Sequence, residues 1–313
     1  MRKAAKLVFM GTPRFAVPSL EALIKAGYEV SAVVTRQDKP QGRGLVVVES
    51  PVKEAALRNN IAVIEPLSMR DEAFKEALLS ISPDIIAVVA YGKILPPSIL
   101  VLPPKGCINL HASLLPKYRG AAPINWAIIN GERTTGVSTM LMDKGMDTGP
   151  MLLKEETAIG EDETADGLGK RLSDMGSSLL AETIRRVLEG SVTPAPQDER
   201  DATYAPILKK GDGRIDWKKD ARLVKCLMMG VAPWPGAHTL WRDALLKIHS
   251  GLATEADAGA APGTITGLSR DGIEVACGKG TFIITVLQPE NRKKMTAAEF
   301  TQGYRITKGE RFC

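Results

Sequence analysis

Cysteine is scarce in this 313-residue chain: Cys107, Cys226, Cys277 and Cys313 are all there is. No two of them form a Cys-x-x-Cys pair and no histidine stands near one at ligand spacing, which argues against a zinc site and against a disulfide framework. A reducing, cytoplasmic compartment fits that usage, and no metal is expected. Long apolar runs are scarce too. Arg2, Lys3 and Lys6 surround the start of an apolar stretch at residues 7–10, which is too short for a signal-peptide core and is followed at once by Gly11-Thr-Pro-Arg14. Nothing approaches the length of a membrane span, so no membrane partner is expected. Glycine is short where a dinucleotide would need it. The turn from Gly11 to Ala16 has one glycine where the fingerprint has three, which speaks against a nicotinamide or flavin enzyme. Internal repeats and low-complexity tracts are absent as well.

What is present is an ordinary globular composition, and at this length two domains are expected. Residues 6–10 read as a strand and residues 15–26 as a helix, with Pro18 in its first turn and Gly27 just past its end. A strand at 30–35 completes a βαβ opening. Helices at 52–58 and 70–79 alternate with strands at 61–64 and 84–90, and the last is so uniformly apolar that it belongs in the centre of a sheet. A helix at 122–129, a strand at 135–142 and a long helix at 163–188 follow. Residues 193–213 are rich in Pro, Asp, Glu and Lys without a period, and are expected to be a linker. Beyond it, a helix near 221–229 precedes short strands separated by turn signals, the pattern of a small barrel. The expected fold is therefore α/β. A Rossmann-like, mostly parallel sheet with helices on both faces spans residues 1–192, and a small OB-like β-barrel spans residues 214–313.

Charge divides along the same line. From Lys209 onward there are 17 Lys plus Arg against 11 Asp plus Glu, and 24 against 25 before it. A basic domain appended to a neutral one suits a large polyanionic substrate, while a mildly basic surface that keeps the protein soluble explains the same numbers more plainly.

The most informative polar residues stand at one strand end. Asn109 and His111 are two apart, so in an extended segment they share a face, and the Ser113-Leu-Leu-Pro116 that follows stops the strand. In an open parallel sheet that junction is where ligands bind. Further on, a glycine-rich loop offers Asp143 and Asp147. An amide aimed at a developing oxyanion, an imidazole that titrates near neutrality and a carboxylate beside it suit acyl-group transfer. No serine or cysteine is placed as a nucleophile, which points to direct transfer to an amine. Each residue alone has a plainer role. The histidine would satisfy a buried group, and either aspartate would form a turn. His238 and His249 are expected to be structural, and Lys117 and Arg119 either bind an anionic tail or solvate a loop.

Together the motifs are more specific. The run Ile108-Asn-Leu-His-Ala-Ser-Leu-Leu-Pro-Lys-Tyr-Arg-Gly-Ala-Ala-Pro123, followed by Met142-Asp-Lys-Gly-Met-Asp-Thr-Gly-Pro-Met-Leu152, resembles the paired signature of the folate-dependent formyltransferases. The Phe9-Met-Gly-Thr-Pro13 opening, the Lys39-Pro-Gln-Gly-Arg-Gly44 loop, Ser50-Pro-Val-Lys53, Val89-Ala-Tyr-Gly-Lys-Ile-Leu-Pro96 and the basic tail extend the resemblance along the chain, toward the members that act on aminoacylated tRNA. The resemblance implies 10-formyltetrahydrofolate as formyl donor and the α-amino group of methionine on initiator tRNA as acceptor. It places Asn109, His111 and Asp147 on catalytic positions, and Ser113, Leu114, Leu115, Pro116, Val89, Tyr91, Gly92 and Asp143 around the folate. Arg43, Lys209 and Lys210 would meet the tRNA, whose backbone the barrel would contact. The chain departs from many relatives in having Leu45-Val-Val-Val-Glu49 where they have lysines, which leaves Arg43 as the loop residue of interest. A monomer is expected. The competing possibilities are a formyltransferase acting on a sugar nucleotide or a purine precursor, the latter expected to lack the region after about Lys209, and a non-catalytic tRNA-binding protein.

Overall fold

Four of the five residues of Ile85–Val89 are β-branched and none is polar, so this segment is stiff, prefers an extended backbone and has no face to offer to water. All five are buried. In the computed structural model, which describes residues 5–41 and 46–313, it is the middle strand of a seven-stranded sheet. The order is Met151–Ala158, Thr134–Leu141, Cys107–His111, Ile85–Val89, Lys6–Gly11, Glu29–Val34, Val63–Ile64. The last five are parallel to one another, Thr134–Leu141 runs antiparallel to Cys107–His111, and Met151–Ala158 antiparallel to Thr134–Leu141. The mostly parallel α/β sheet is the one expected. The Met151–Ala158 strand was not expected, because Lys154, Glu155 and Glu156 give it the charged surface of an edge rather than an alternating pattern.

From Lys6–Gly11 the chain builds outward through Glu29–Val34 to Val63–Ile64, then crosses back to Ile85–Val89 and builds the other way. The order therefore reverses between Lys6–Gly11 and Ile85–Val89. Their carboxyl ends, Gly11-Thr12-Pro13 and Ala90-Tyr91-Gly92, flank the crevice where such sheets take ligands. One sheet face carries Val8, Met10, Val88 and Cys107 against Phe74 and Leu78 of the helix Glu72–Ile81. The opposite face carries Leu110 and Thr139 against the helix Ala165–Glu189. There the Thr139 and Thr183 hydroxyls are 2.8 Å apart, and a Cβ at Gly176 would stand 2.7 Å from Leu110. Alternation then turns Asn109 and His111 to the Cys107 face.

The chain divides into two compact units, Met1–Pro123 with Thr134–Ala158 and Gly169–Pro206, and Ile124–Arg133 with Ile159–Leu168 and Ile207–Cys313. Two features of this division bear on the expected boundaries. Residues 124–133 and 159–168 cluster with the second unit, and the stretch expected as a linker, 193–213, is structured within the units on either side of Pro206. In the first unit Ala195 bridges Met151, and Tyr204–Ala205 pairs with Arg119–Gly120. Pairings of one or two residues leave no period in a sequence, which is why the stretch read as a linker.

The second unit is an antiparallel sheet of six strands, in the order His238–Trp241, Ala244–Thr254, Thr281–Pro289, Ile273–Ala276, Ile265–Leu268, with Met295–Thr296 added to Thr281–Pro289. Register shifts around Ser250 bend its long second strand. The terminal segment joins the two edges: Cys313 exchanges both backbone hydrogen bonds with Leu240, at 3.0 Å each, while Phe312 donates to Gly263 and Arg311 bridges Thr264. Trp217, stacked on Phe312 and donating to the Thr239 hydroxyl at 3.0 Å, fills the interior. The expected small barrel is there.

Candidate active site

Asn109 and His111 close the strand Cys107–His111, each less than a tenth exposed. Among the described residues none hydrogen-bonds the Asn109 amide. His111 is held. Its Nε2 lies 2.9 Å from the carbonyl of Tyr118, an acceptor only, so Nε2 carries a proton and donates. The nitrogen left to gain or lose a proton is Nδ1, and it faces the Asp147 Oδ2 at 3.7 Å, beyond hydrogen-bond length.

Asp147 belongs to the loop between the antiparallel strands Thr134–Leu141 and Met151–Ala158. Its φ of 55° is left-handed, uncommon for a residue with a side chain. Its Oδ2 accepts from the backbone N–H of Gly120 at 2.8 Å. Gly120 itself has φ 119°, and a Cβ there would stand 2.7 Å from the Ala205 carbonyl, so only glycine brings that N–H to the carboxylate.

The loop after His111 is fastened to the neighbouring strand by one hydroxyl. Ser138 Oγ donates to the Ser113 carbonyl at 2.8 Å and accepts from Leu115 N at 3.1 Å, while Ser113 Oγ donates to the Lys117 carbonyl at 2.6 Å. Ser113 and Leu115 are buried, and Leu114 and Pro116 are partly exposed. Val89 and Tyr91 are buried as well. The Tyr91 phenol points into the core and donates to Met69 Sδ at 3.2 Å, and burial pushes it up to about 12. Tyr91 therefore presents only backbone at the crevice. Its carbonyl and that of Gly92 accept from Arg36, whose side chain crosses the carboxyl end of Lys6–Gly11 from the neighbouring strand. Asp143 is exposed and ties its own loop, accepting from Gly145 N at 2.9 Å and Thr148 Oγ1 at 2.7 Å.

Burial also pushes the Cys107 thiol up to about 12, which removes thiolate chemistry beside Asn109. Lys209 and Lys210 are exposed in the second unit, Arg43 lies outside the described residues, and His238 and His249 bond to Gly236 and Gln288 within the barrel. Lys117 is exposed, but Arg119 is not a surface charge at all. It is wholly buried, bound to Glu199 and Gln197, and Gln197 in turn donates to the Asp147 carbonyl. No local signal announces this, because the partners are some 80 residues apart. Thr203 supports the same loop, its hydroxyl accepting from Tyr118 N at 2.8 Å.

A doubly wound sheet with an amide, an imidazole and a carboxylate beside its switch-point crevice defines a class of enzyme suited to group transfer. Residues 5–184 match the family described as formyl transferase, and residues 207–305 match the formyl transferase C-terminal domain. The chain belongs to the formyl transferase family. The methionyl-tRNA formyltransferase of Citrifermentans bemidjiense is 49% identical over 304 residues, 97% of this chain and 95% of that protein. That of Caldanaerobacter subterraneus subsp. tengcongensis is 49% identical over 305 residues, 97% of this chain and 98% of that protein. Among solved structures, the N-formyltransferase from Helicobacter canadensis, in complex with folinic acid and dTDP-3-aminofucose, shares the fold with a TM-score of 0.70 at 20% identity, over 93% of this chain and 100% of that one.

Proposed function

We propose that this chain transfers the formyl group of 10-formyltetrahydrofolate to the α-amino group of methionine on initiator tRNA, acting as a monomer. The observation that carries the proposal is the likeness to methionyl-tRNA formyltransferases, 49% identity along 97% of the chain, running through the sheet unit and the basic barrel alike.

In this mechanism the neutral amine attacks the formyl carbon. A carbon–nitrogen bond forms to methionine, the one to the donor nitrogen breaks, and one proton passes from the amine to that leaving nitrogen. The Asn109 amide, with no partner among the described residues to give up, donates to the carbonyl oxygen as it gains charge. His111 is aligned by the Tyr118 carbonyl, which leaves Nδ1 as its working nitrogen, the second donor to that oxygen when protonated. Asp147, fixed by the Gly120 N–H, faces Nδ1, orients the ring and takes part in moving the proton. Ser113, Leu114, Leu115 and Pro116 border the folate from one side. Val89, Tyr91 and Gly92 border it through main-chain groups, and Asp143 stands at the mouth. Arg43, Lys209 and Lys210 hold tRNA phosphates, with the barrel adding sequence-independent contacts.

The test offers the donor with two acceptors together, methionyl initiator tRNA and an amino-sugar nucleotide. Formylmethionyl-tRNA is the expected product. Formyl transfer to the sugar alone, or tRNA binding without any transfer, would replace the proposal with one of its competitors.

A further inference from the structure

We infer that Gln197 is a positioning residue for Asp147, oriented for that role by the buried Arg119. The inference rests on the reading of Asp147 as the carboxylate that works with His111. Asp147 has little freedom to be wrong: its φ of 55° is unfavourable for a residue with a side chain, and such backbone persists only where the surroundings over-determine it. Its carboxylate has the Gly120 N–H as its fixed donor, at 2.8 Å, and must stay facing His111 Nδ1. What holds the backbone is Gln197, whose Nε2 donates to the carbonyls of Asp147 at 2.8 Å and Gly149 at 2.7 Å.

An amide can turn over and present its oxygen instead, which would set three carbonyl oxygens against one another. Arg119 prevents this. Its Nε and Nη2 donate to Gln197 Oε1 at 3.1 and 2.9 Å, so the oxygen is committed to a cation and the NH2 is directed at the loop. The same guanidinium is held by Glu199, Nη1 to Oε2 at 2.9 Å and Nη2 to Oε1 at 2.8 Å, which compensates the charge of a side chain with no exposed surface. Glu199, Arg119, Gln197 and Asp147 thus form one chain of hydrogen bonds within the first unit, running from an exposed carboxylate to the main-chain carbonyl of Asp147.

A positioning role differs measurably from a merely structural one. Gln197→Met keeps the shape and removes the donors; Gln197→Glu turns them into acceptors. Each is made alone and in the Asp147→Asn chain, with kcat and KM measured for methionyl initiator tRNA and folding followed by thermal unfolding. Alone, each is expected to lower kcat about 10- to 100-fold, as small displacements of a working group do, with KM changed less than about threefold. In the Asp147→Asn chain the same changes are expected to move kcat less than about twofold, because there is no longer a carboxylate to position. An equal fall in both backgrounds, an unchanged kcat in both Gln197 variants, or loss of the fold in both would overturn the inference. Near-full kcat for Asp147→Asn itself would overturn the reading of Asp147, and the inference with it.

Discussion

The Nε2–H of His111 is already engaged with the Tyr118 carbonyl, and Asn109 Nδ2 is not engaged with any described residue. The two donors therefore have different tests. Asn109→Asp keeps the size of the side chain and replaces its donor with an acceptor, so turnover is expected to fall about 10²- to 10³-fold in a steady-state assay, with KM for either substrate nearly unchanged. A parallel rise in KM would make Asn109 a binding group instead. Asn109, His111 and Asp147 were legible in the sequence because chemistry-bearing types stood two apart at a strand end and again in a glycine-rich loop. Arg119 was not, since its burial depends on Gln197 and Glu199 far along the chain. Nor was the direction of Tyr91, whose phenol goes to Met69 and leaves only main chain at the crevice.

Elements were legible where their signals are local. The helix Pro51–Arg58 starts where Ser50 accepts from Lys53 N, and Glu72–Ile81 starts where Asp71 accepts from Ala73 N. The helix Ala297–Tyr304 carries a local signal of the same kind, Thr296 and Glu299 standing as a capping box, with Glu299 N donating to Thr296 Oγ1 at 3.2 Å and Thr296 N to Glu299 Oε2 at 2.7 Å. Thr296→Ala is expected to cost about 1 kcal/mol in a denaturant titration; no change would mean that packing of Phe300 alone holds the helix. The barrel has an acid-sensitive tie in Glu310. Burial by itself would raise its carboxyl, but donors from Arg242, Thr307 and the Trp241 indole outweigh burial and hold it down to about 2. A carboxyl held lower in the folded than in the unfolded chain stabilises above its ordinary value, and that stabilisation is lost as pH falls from about 4.5 to about 2. Glu310→Gln is therefore expected to lower Tm near pH 7 and to flatten its dependence over that acid window. An unaltered acid limb would discount the tie.

At the scale of the whole molecule, the division of charge was visible in the sequence, and the two compact units are drawn along a different line. Residues 124–133 and 159–168 cluster with the barrel although they read as part of the α/β region, because spatial grouping follows pairings made by distant segments rather than composition. On the proposed function, the excess of basic residues from Lys209 onward is expected to make tRNA affinity electrostatic. The logarithm of the association constant is expected to fall linearly with the logarithm of salt concentration, and replacing Lys209 and Lys210 by alanine to reduce that slope by about one unit each. An unchanged slope would remove both from the interface.

The most direct measurement is single-turnover formylation of methionyl initiator tRNA with saturating 10-formyltetrahydrofolate, comparing the wild-type chain with His111→Ala. Rapid appearance of formylmethionine with the wild type, and a rate lower by about 10²-fold or more with His111→Ala, is the expected result. No formylmethionine from the wild type, or equal rates from the two chains, would contradict it.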